Sequence, residues 1–264
     1  MSAVAVSDSR VRLGWVVSDA FAVAQRNIIA LYRVPTTLVF STIQPVIFVL
    51  MFRYVFGGAI HVQGVRYVNF LMPGIFVQTV TFGSVNTGIG LAEDLQKGLI
   101  ERFRSLPMAR SAVLAGRALA DVARNFMVIV IMVVVGFLVG FRVQTNALMF
   151  VGAVGLMLLL GVAMSWIMAL VGLSTGNGEA AQAASFPFMA LLVFASNCFV
   201  PTATMPWWLR AYANHQPVSA TVTAIRGLVL GGPIWSAILG ALAWMFGIIV
   251  VFAPLAVMRY RRSA

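Results

Sequence analysis

Apolar residues run in long blocks along this chain, and charge is confined to the joints between them. Residues 125–141, 143–178, 180–209 and 227–258 hold no Asp, Glu, Lys or Arg. A spanning helix needs about 18 or more apolar residues, so each block reaches or approaches that length. The pattern predicts six spans, at about 35–56, 67–91, 112–140, 146–173, 180–200 and 234–257. Pro45 and Pro187 fall inside the first and fifth and predict kinks. Ser174-Thr175-Gly176-Asn177-Gly178-Glu179 reads as a turn between the fourth and fifth. Residues 201–232 do not fit a span, because Pro201, Pro206, Pro217 and Gly231-Gly232-Pro233 interrupt them. Two short helices, 206–214 and 218–230, fit instead. Thirteen residues rise about 20 Å, less than the roughly 30 Å hydrocarbon core, so they dip into the membrane or lie on it. Trp207 and Trp208 suit an interfacial aromatic belt.

Ahead of the first span the period changes. Val17, Phe21, Ala24, Ile28 and Leu31 share one helical face, with Asp19, Arg26 and Arg33 on the other. Residues 11–33 therefore predict an amphipathic helix lying in the interface. No compact apolar core with a small-residue cleavage site occurs at the start, so a cleaved signal peptide is not expected. The predicted organisation is all-α and integral to the membrane: a cytoplasmic N-terminus with the interfacial helix (1–34), a six-helix transmembrane domain (35–258) and a cytoplasmic tail (259–264). Within the domain, 92–112 is a cytoplasmic coupling segment and 201–232 an external re-entrant segment.

Composition agrees: 61% of the residues are hydrophobic, only 9% are charged, and mean hydropathy is +0.96. A soluble domain needs a more charged surface. The net charge of +11 comes from 17 Arg and one Lys spread along the joints, which suits a positive-inside bias and not nucleic acid. The side holding both termini, 92–124 and the 174–179 turn carries 13 Lys/Arg against 5 on the other, and is taken as cytoplasmic. A multi-pass protein of the cell membrane with both termini inside follows. Counting 92–124 as cytoplasmic places all seven acidic residues, Asp121 among them, on that side. No acidic group is then expected in mid-membrane, which argues against ion coupling.

Candidate chemistry is sparse. The only lysine is Lys97, preceded by Gln96, so the Gly-Lys-Ser/Thr of a phosphate-binding loop is absent. His61 and His215 are isolated, Cys198 is the only cysteine, and no nucleophile elbow occurs, so no catalytic or metal residue is assigned. Gly152, Gly155, Gly161 and Gly172 suggest close helix packing. The second span is unusually polar, with Asn69, Gln78, Thr79, Thr81, Ser84, Asn86 and Thr87. Gln78 and Asn86, joined by Gln44 and Gln182, are candidates for a substrate path. For any single one of them interhelical hydrogen bonding is the better account, and the candidate is the group and not a member.

The densest charge lies in Glu93-Asp94-Leu95-Gln96-Lys97-Gly98-Leu99-Ile100-Glu101-Arg102-Phe103-Arg104-Ser105-Leu106-Pro107-Met108. Its acids and bases sit at i,i+3 and i,i+4 spacing on a helix that Pro107 must break. This stretch resembles the signature of ABC transporter permeases of the type-2 exporter class, and most closely the daunorubicin/doxorubicin-resistance branch. Met205-Pro206-Trp207-Trp208-Leu209, Asn214-His215-Gln216-Pro217 and Ala224-Ile225-Arg226-Gly227 resemble that branch as well.

The resemblance implies six spans, pairing with a second permease copy or paralogue, and a separate nucleotide-binding ATPase subunit that carries the ATP and Mg. The contacts with that subunit would be Glu93, Asp94, Lys97, Glu101, Arg102, Arg104 and Pro107. The two short helices, with Trp207, Trp208, Pro217 and Arg226, would form an external gate region. The cargo would be a hydrophobic drug or a lipid, exported along the dimer interface. The alternatives are an ATP-independent membrane transporter and a lipid-handling membrane protein.

Overall fold

The computed structural model describes residues 35–58, 60, 62, 64–98 and 110–262. The predicted interfacial helix at 11–33 lies outside them, as do Glu101, Arg102, Arg104, Pro107 and His61. The described elements are all helical. In chain order they are α1 (Pro35–Leu50) with a π turn (Met51–Val55), α2 (Tyr67–Gly83), α3 (Val85–Gln96), α4 (Arg110–Leu138) and α5 (Ala147–Thr175). There follow α6 (Gly178–Phe194), a 3-10 turn (Thr202–Thr204), α7 (Trp207–Asn214), α8 (Pro217–Leu230) and α9 (Trp235–Arg262).

Four stretches are long and apolar enough to cross a membrane: Tyr67–Gln96, Leu119–Leu138, Ala147–Thr175 and Trp235–Tyr260. Thr42–Val55, Gly178–Phe194 and Pro217–Leu230 are apolar but shorter. Each of these helices falls where the hydrophobic blocks predict one. Pro217 opens α8, as proline does where the first-turn N–H has no helical partner. The polar turn at 174–179 is a cap pair. Gly176 takes the left-handed conformation (φ 65°) that closes α5, and the Asn177 side chain accepts from Glu179 N–H to open α6.

α5 runs through the centre, packed by α2, α3, α4, α6, α8 and α9. The polar second span is also interior. In its most apolar window 89% of Tyr67–Gln96 is buried inside the protein, against 17% for Trp235–Tyr260. Neighbouring helices thus surround the amides and hydroxyls of α2, while α9 shows its side chains to lipid. Of the four glycines expected to pack closely, two do. A Cβ on Gly172 would sit 2.1 Å from Gly88 O, so α3 and α5 cross backbone to backbone. One on Gly161 would strike Asn125 and Val80. Gly155 faces open space and Gly152 only grazes Leu228, which corrects the expectation for that pair.

Candidate functional site: a polar cleft beside a broken helix

The second span is two helices. Between α2 and α3 the backbone tightens: Thr87 N–H donates to Ser84 O, and the Ser84 hydroxyl turns back to Thr81 O at 2.7 Å. Gln78 and Asn86 lie on either side of this junction, where Ser84 keeps a helical backbone (φ −66°, ψ −22°), and both face one cleft. α4 holds the junction from the side. Arg124 Nη2 donates to Gly83 O at 2.8 Å, and the same nitrogen is 3.1 Å from Asp121 Oδ1. On the α3 side the Thr87 hydroxyl donates to Asp121 Oδ2 at 2.5 Å, with the Ser165 hydroxyl of α5 3.2 Å from it. One ion pair on α4 thus grips both halves of the broken span.

Asp121 is 7% exposed, inside the helix bundle and at one end of the Leu119–Leu138 stretch rather than in its middle. The cost of burying a carboxylate is offset by its guanidinium and hydroxyl partners.

Beside the junction is a cleft of about 90 Å³. Gln44 of α1, Gln78 of α2, Asn86 of α3, and Arg124 and Asn125 of α4 line it, against an apolar wall of Phe82 and Val128. Gln44 and Asn86 are exposed, so the cleft opens at the surface of the single chain. Gln78 is 1% exposed, and its Oε1 has no hydrogen-bond partner. Asn125 fits because Gly83 and Gly161 lack a Cβ; one on Gly83 would be 3.1 Å from Asn125 Oδ1. Three of the four amides singled out in the sequence therefore meet. Gln182 does not line the cleft; it is exposed on α6. Arg124 and Asn125 are the members that sequence reasoning missed. The signal was an Asp-x-x-Arg pair inside the third predicted span, at the edge of a charge-free run. Other polar groups of α2 serve the backbone: Thr79 and Thr81 hydroxyls donate to carbonyls four residues back.

The candidate ATPase contacts among the described residues, Glu93, Asp94 and Lys97, fall at the far end of α3. Lys97 Nζ pairs with Glu93 Oε2 at 2.9 Å on the surface, and Glu93 lies against Gly178 at the start of α6. Asp94 is one residue along, at the end of the same helix.

At the opposite end of the bundle Trp207 and Trp208 are exposed at 82% and 59%. Pro217 is buried in the first turn of α8. Arg226 donates through Nε to Phe70 O (2.9 Å) and through Nη2 to Asn197 O (2.7 Å) and Cys198 O (3.1 Å). Its guanidinium also lies 3.5 Å from the Phe70 ring centre. Gly74 lets the strap through Cys198 approach, since a Cβ there would be 2.0 Å from Cys198 O.

The family pattern described as ABC-2 type transporter matches residues 19–230, which contain the cleft, the junction and both short helices. The chain belongs to the ABC-2 type transporter family. Among curated ABC-2 relatives, the daunorubicin resistance ABC transporter permease protein DrrB1 of Streptomyces coeruleorubidus is 38% identical over 239 residues. That alignment covers 90% of this chain and 84% of the relative. The probable doxorubicin resistance permease DrrC of Mycobacterium tuberculosis is 29% identical, covering 86% of this chain and 83% of its own length. DrrB of the same organism, a doxorubicin resistance permease, is 28% identical, covering 79% and 77%. This ABC-2 protein is accordingly a multi-pass membrane permease, the subunit type that does not itself hydrolyse ATP.

Proposed function

We propose that this permease exports hydrophobic drugs or lipids from the cell, driven by ATP that a separate subunit binds and hydrolyses with Mg. The observation that carries the reading is the 38% identity to a daunorubicin-resistance permease across 90% of the chain. The interior supports it, with a broken, polar second span beside a cleft inside otherwise apolar walls. The cleft's 90 Å³ is well below the roughly 300–1,000 Å³ of a drug-sized pocket, so one chain holds only part of such a cargo. A second permease copy or paralogue would supply the rest. Exposed Ile43 and Ile47 on α1, and Phe186, Leu191 and Phe194 on α6, offer an apolar face for it or for lipid.

In this reading α1 with its π turn, and α6 with the strap that follows it, are the fifth and sixth crossings beside the four long stretches. Both termini are cytoplasmic. The ATPase subunit docks on the interfacial helix at 11–33 and on the elbow at 92–112, through Glu93, Asp94, Lys97, Glu101, Arg102, Arg104 and Pro107. The re-entrant helices α7 and α8 form the external gate region. An ATP-independent transporter is the competing reading. Asp121 is the acidic residue it would use, but the carboxylate is already engaged by Arg124 and Thr87.

Affinity purification of the permease from its own membranes in mild detergent tests the assignment. The expected result is a stoichiometric soluble partner carrying a phosphate-binding loop. Absence of such a partner across several detergents, with nucleotide present, removes the docking role of 92–112.

A further inference from the structure

We infer that the cleft beside the α2–α3 junction receives an uncharged, hydroxyl- or carbonyl-bearing end of the cargo, and not a cationic end. The inference rests on the export reading above and names which part of the cargo this site takes.

The charge balance comes first. Arg124 is the charged residue lining the cleft, and its guanidinium is already matched by the Asp121 carboxylate at 3.1 Å. Asp121 is spent twice over, because the Thr87 hydroxyl also donates to it. A cation entering the cleft would meet a guanidinium and no uncommitted carboxylate. An anion would have to compete with Asp121 for Arg124. A neutral polar group meets neither obstacle.

The hydrogen-bonding capacity comes second. Gln44, Gln78, Asn86 and Asn125 each bring a primary amide, which offers both a donor and an acceptor. Gln78 Oε1 is buried without a partner, and such a group gains from any donor that reaches it. A hydroxyl supplies that donor, and the amide N–H groups serve a carbonyl. The apolar wall of Phe82 and Val128 suits the edge of a ring system beside those groups. A cleft of about 90 Å³ admits the polar corner of a polycycle and leaves its body among the exposed apolar side chains of α1.

The test uses the permease with its co-purifying ATPase subunit in lipid nanodiscs. The probes are daunorubicin, an amine-bearing polycycle, and its N-acetyl derivative, in which the amine becomes an uncharged amide while the ring hydroxyls and carbonyls remain. Binding is read by quenching of the probe's fluorescence. Both probes should bind with Kd values within about threefold of each other, since the groups that the cleft contacts are the same in both. Gln78→Leu should weaken both by about tenfold, the scale of one lost hydrogen-bond set in a buried site, and Asn86→Leu, at an exposed position, should weaken both by less. Gln44→Leu, at an exposed position, should lower affinity in the same direction and covers the case in which Gln78→Leu does not fold. Leu239→Ala, at an exposed position of α9 outside the cleft lining, should leave Kd unchanged. If N-acetylation alone removes binding while the three leucine variants bind daunorubicin normally, the amine is recognised elsewhere. The inference then fails while the export reading stands. Binding of neither probe by a folded complex removes the inference and leaves lipid as the cargo of the export reading.

Discussion

Two arginines pin the helices of this permease, and they do so by different chemistry. Arg226, near the α7–α8 end, gives its donors to three backbone carbonyls and its face to Phe70. Arg124, beside the α2–α3 junction, divides one nitrogen between a carbonyl and a carboxylate and lines an open cleft. The first arrangement is a staple: one guanidinium on α8 holds backbone carbonyls of α2 and of the strap at 197–198. The second is a joint. Its ion pair joins α4 to α2 through Gly83 O and to α3 through Thr87. Rigidity at one end and a polar, accessible junction nearer the other suit a protein that must move while staying assembled.

Breaking the staple should have the largest effect. Arg226→Ala removes three charge-assisted hydrogen bonds and leaves their carbonyls among packed helices. The expected loss is on the order of 3–5 kcal/mol. It should appear as a much lower thermal unfolding midpoint in detergent, with Arg226→Lys restoring little, since an ammonium cannot span three carbonyls and stack on a ring. An Arg226→Ala protein as stable as the parent would contradict the staple.

Breaking the joint on one side comes next. Asp121→Ala leaves the Arg124 charge unmatched, and the expected cost is about 3 kcal/mol. The double change Asp121→Asn with Arg124→Gln removes both charges and should cost about 1 kcal/mol or less, so a double-mutant cycle should show strong coupling. Additive losses would mean that the two side chains act independently.

Gln78→Leu sharpens the contrast further. It removes an acceptor with no partner, so stability should change by less than about 1 kcal/mol while export of cargo falls. Equal loss of stability and transport would make Gln78 a packing residue. The smallest effect belongs to the surface. The Lys97–Glu93 pair is an exposed i,i+4 contact, and Lys97→Ala should cost only about 0.3–0.5 kcal/mol. Any marked loss of ATPase coupling in that variant must then come from lost docking, read as weaker co-purification of the partner.

Much of this fold was legible because lipid punishes charge. The charge-free runs and their Pro and Gly punctuation located α4, α5, α6 and α9, and Pro206, Pro217 and Gly231-Gly232-Pro233 framed α7 and α8. Three of four candidate path amides, Gln44, Gln78 and Asn86, meet because α1, α2 and α3 turn them to one cleft. Gln182 does not, since the face α6 presents is set by packing against α3 and α5, which its own polarity does not reveal. The staple was out of reach for a related reason. Arg226 closes onto Phe70, 156 positions away in sequence, and local spacing carries no trace of that contact. The burial of Asp121 was not legible either, because Thr87, which meets it beside Arg124, is brought there by the packing of α3 against α4. A carboxylate with Arg one turn later can enter a helix bundle as a matched pair.

Inverted membrane vesicles made from cells expressing this permease together with its ATPase subunit give the most direct test of the central claim. Under the export reading, accumulation of a hydrophobic drug or lipid probe inside the vesicles should require ATP and survive collapse of the proton gradient, and it should vanish when either subunit is omitted. Accumulation that persists without ATP and disappears with the gradient would contradict the account and leave an ion-driven transporter in its place.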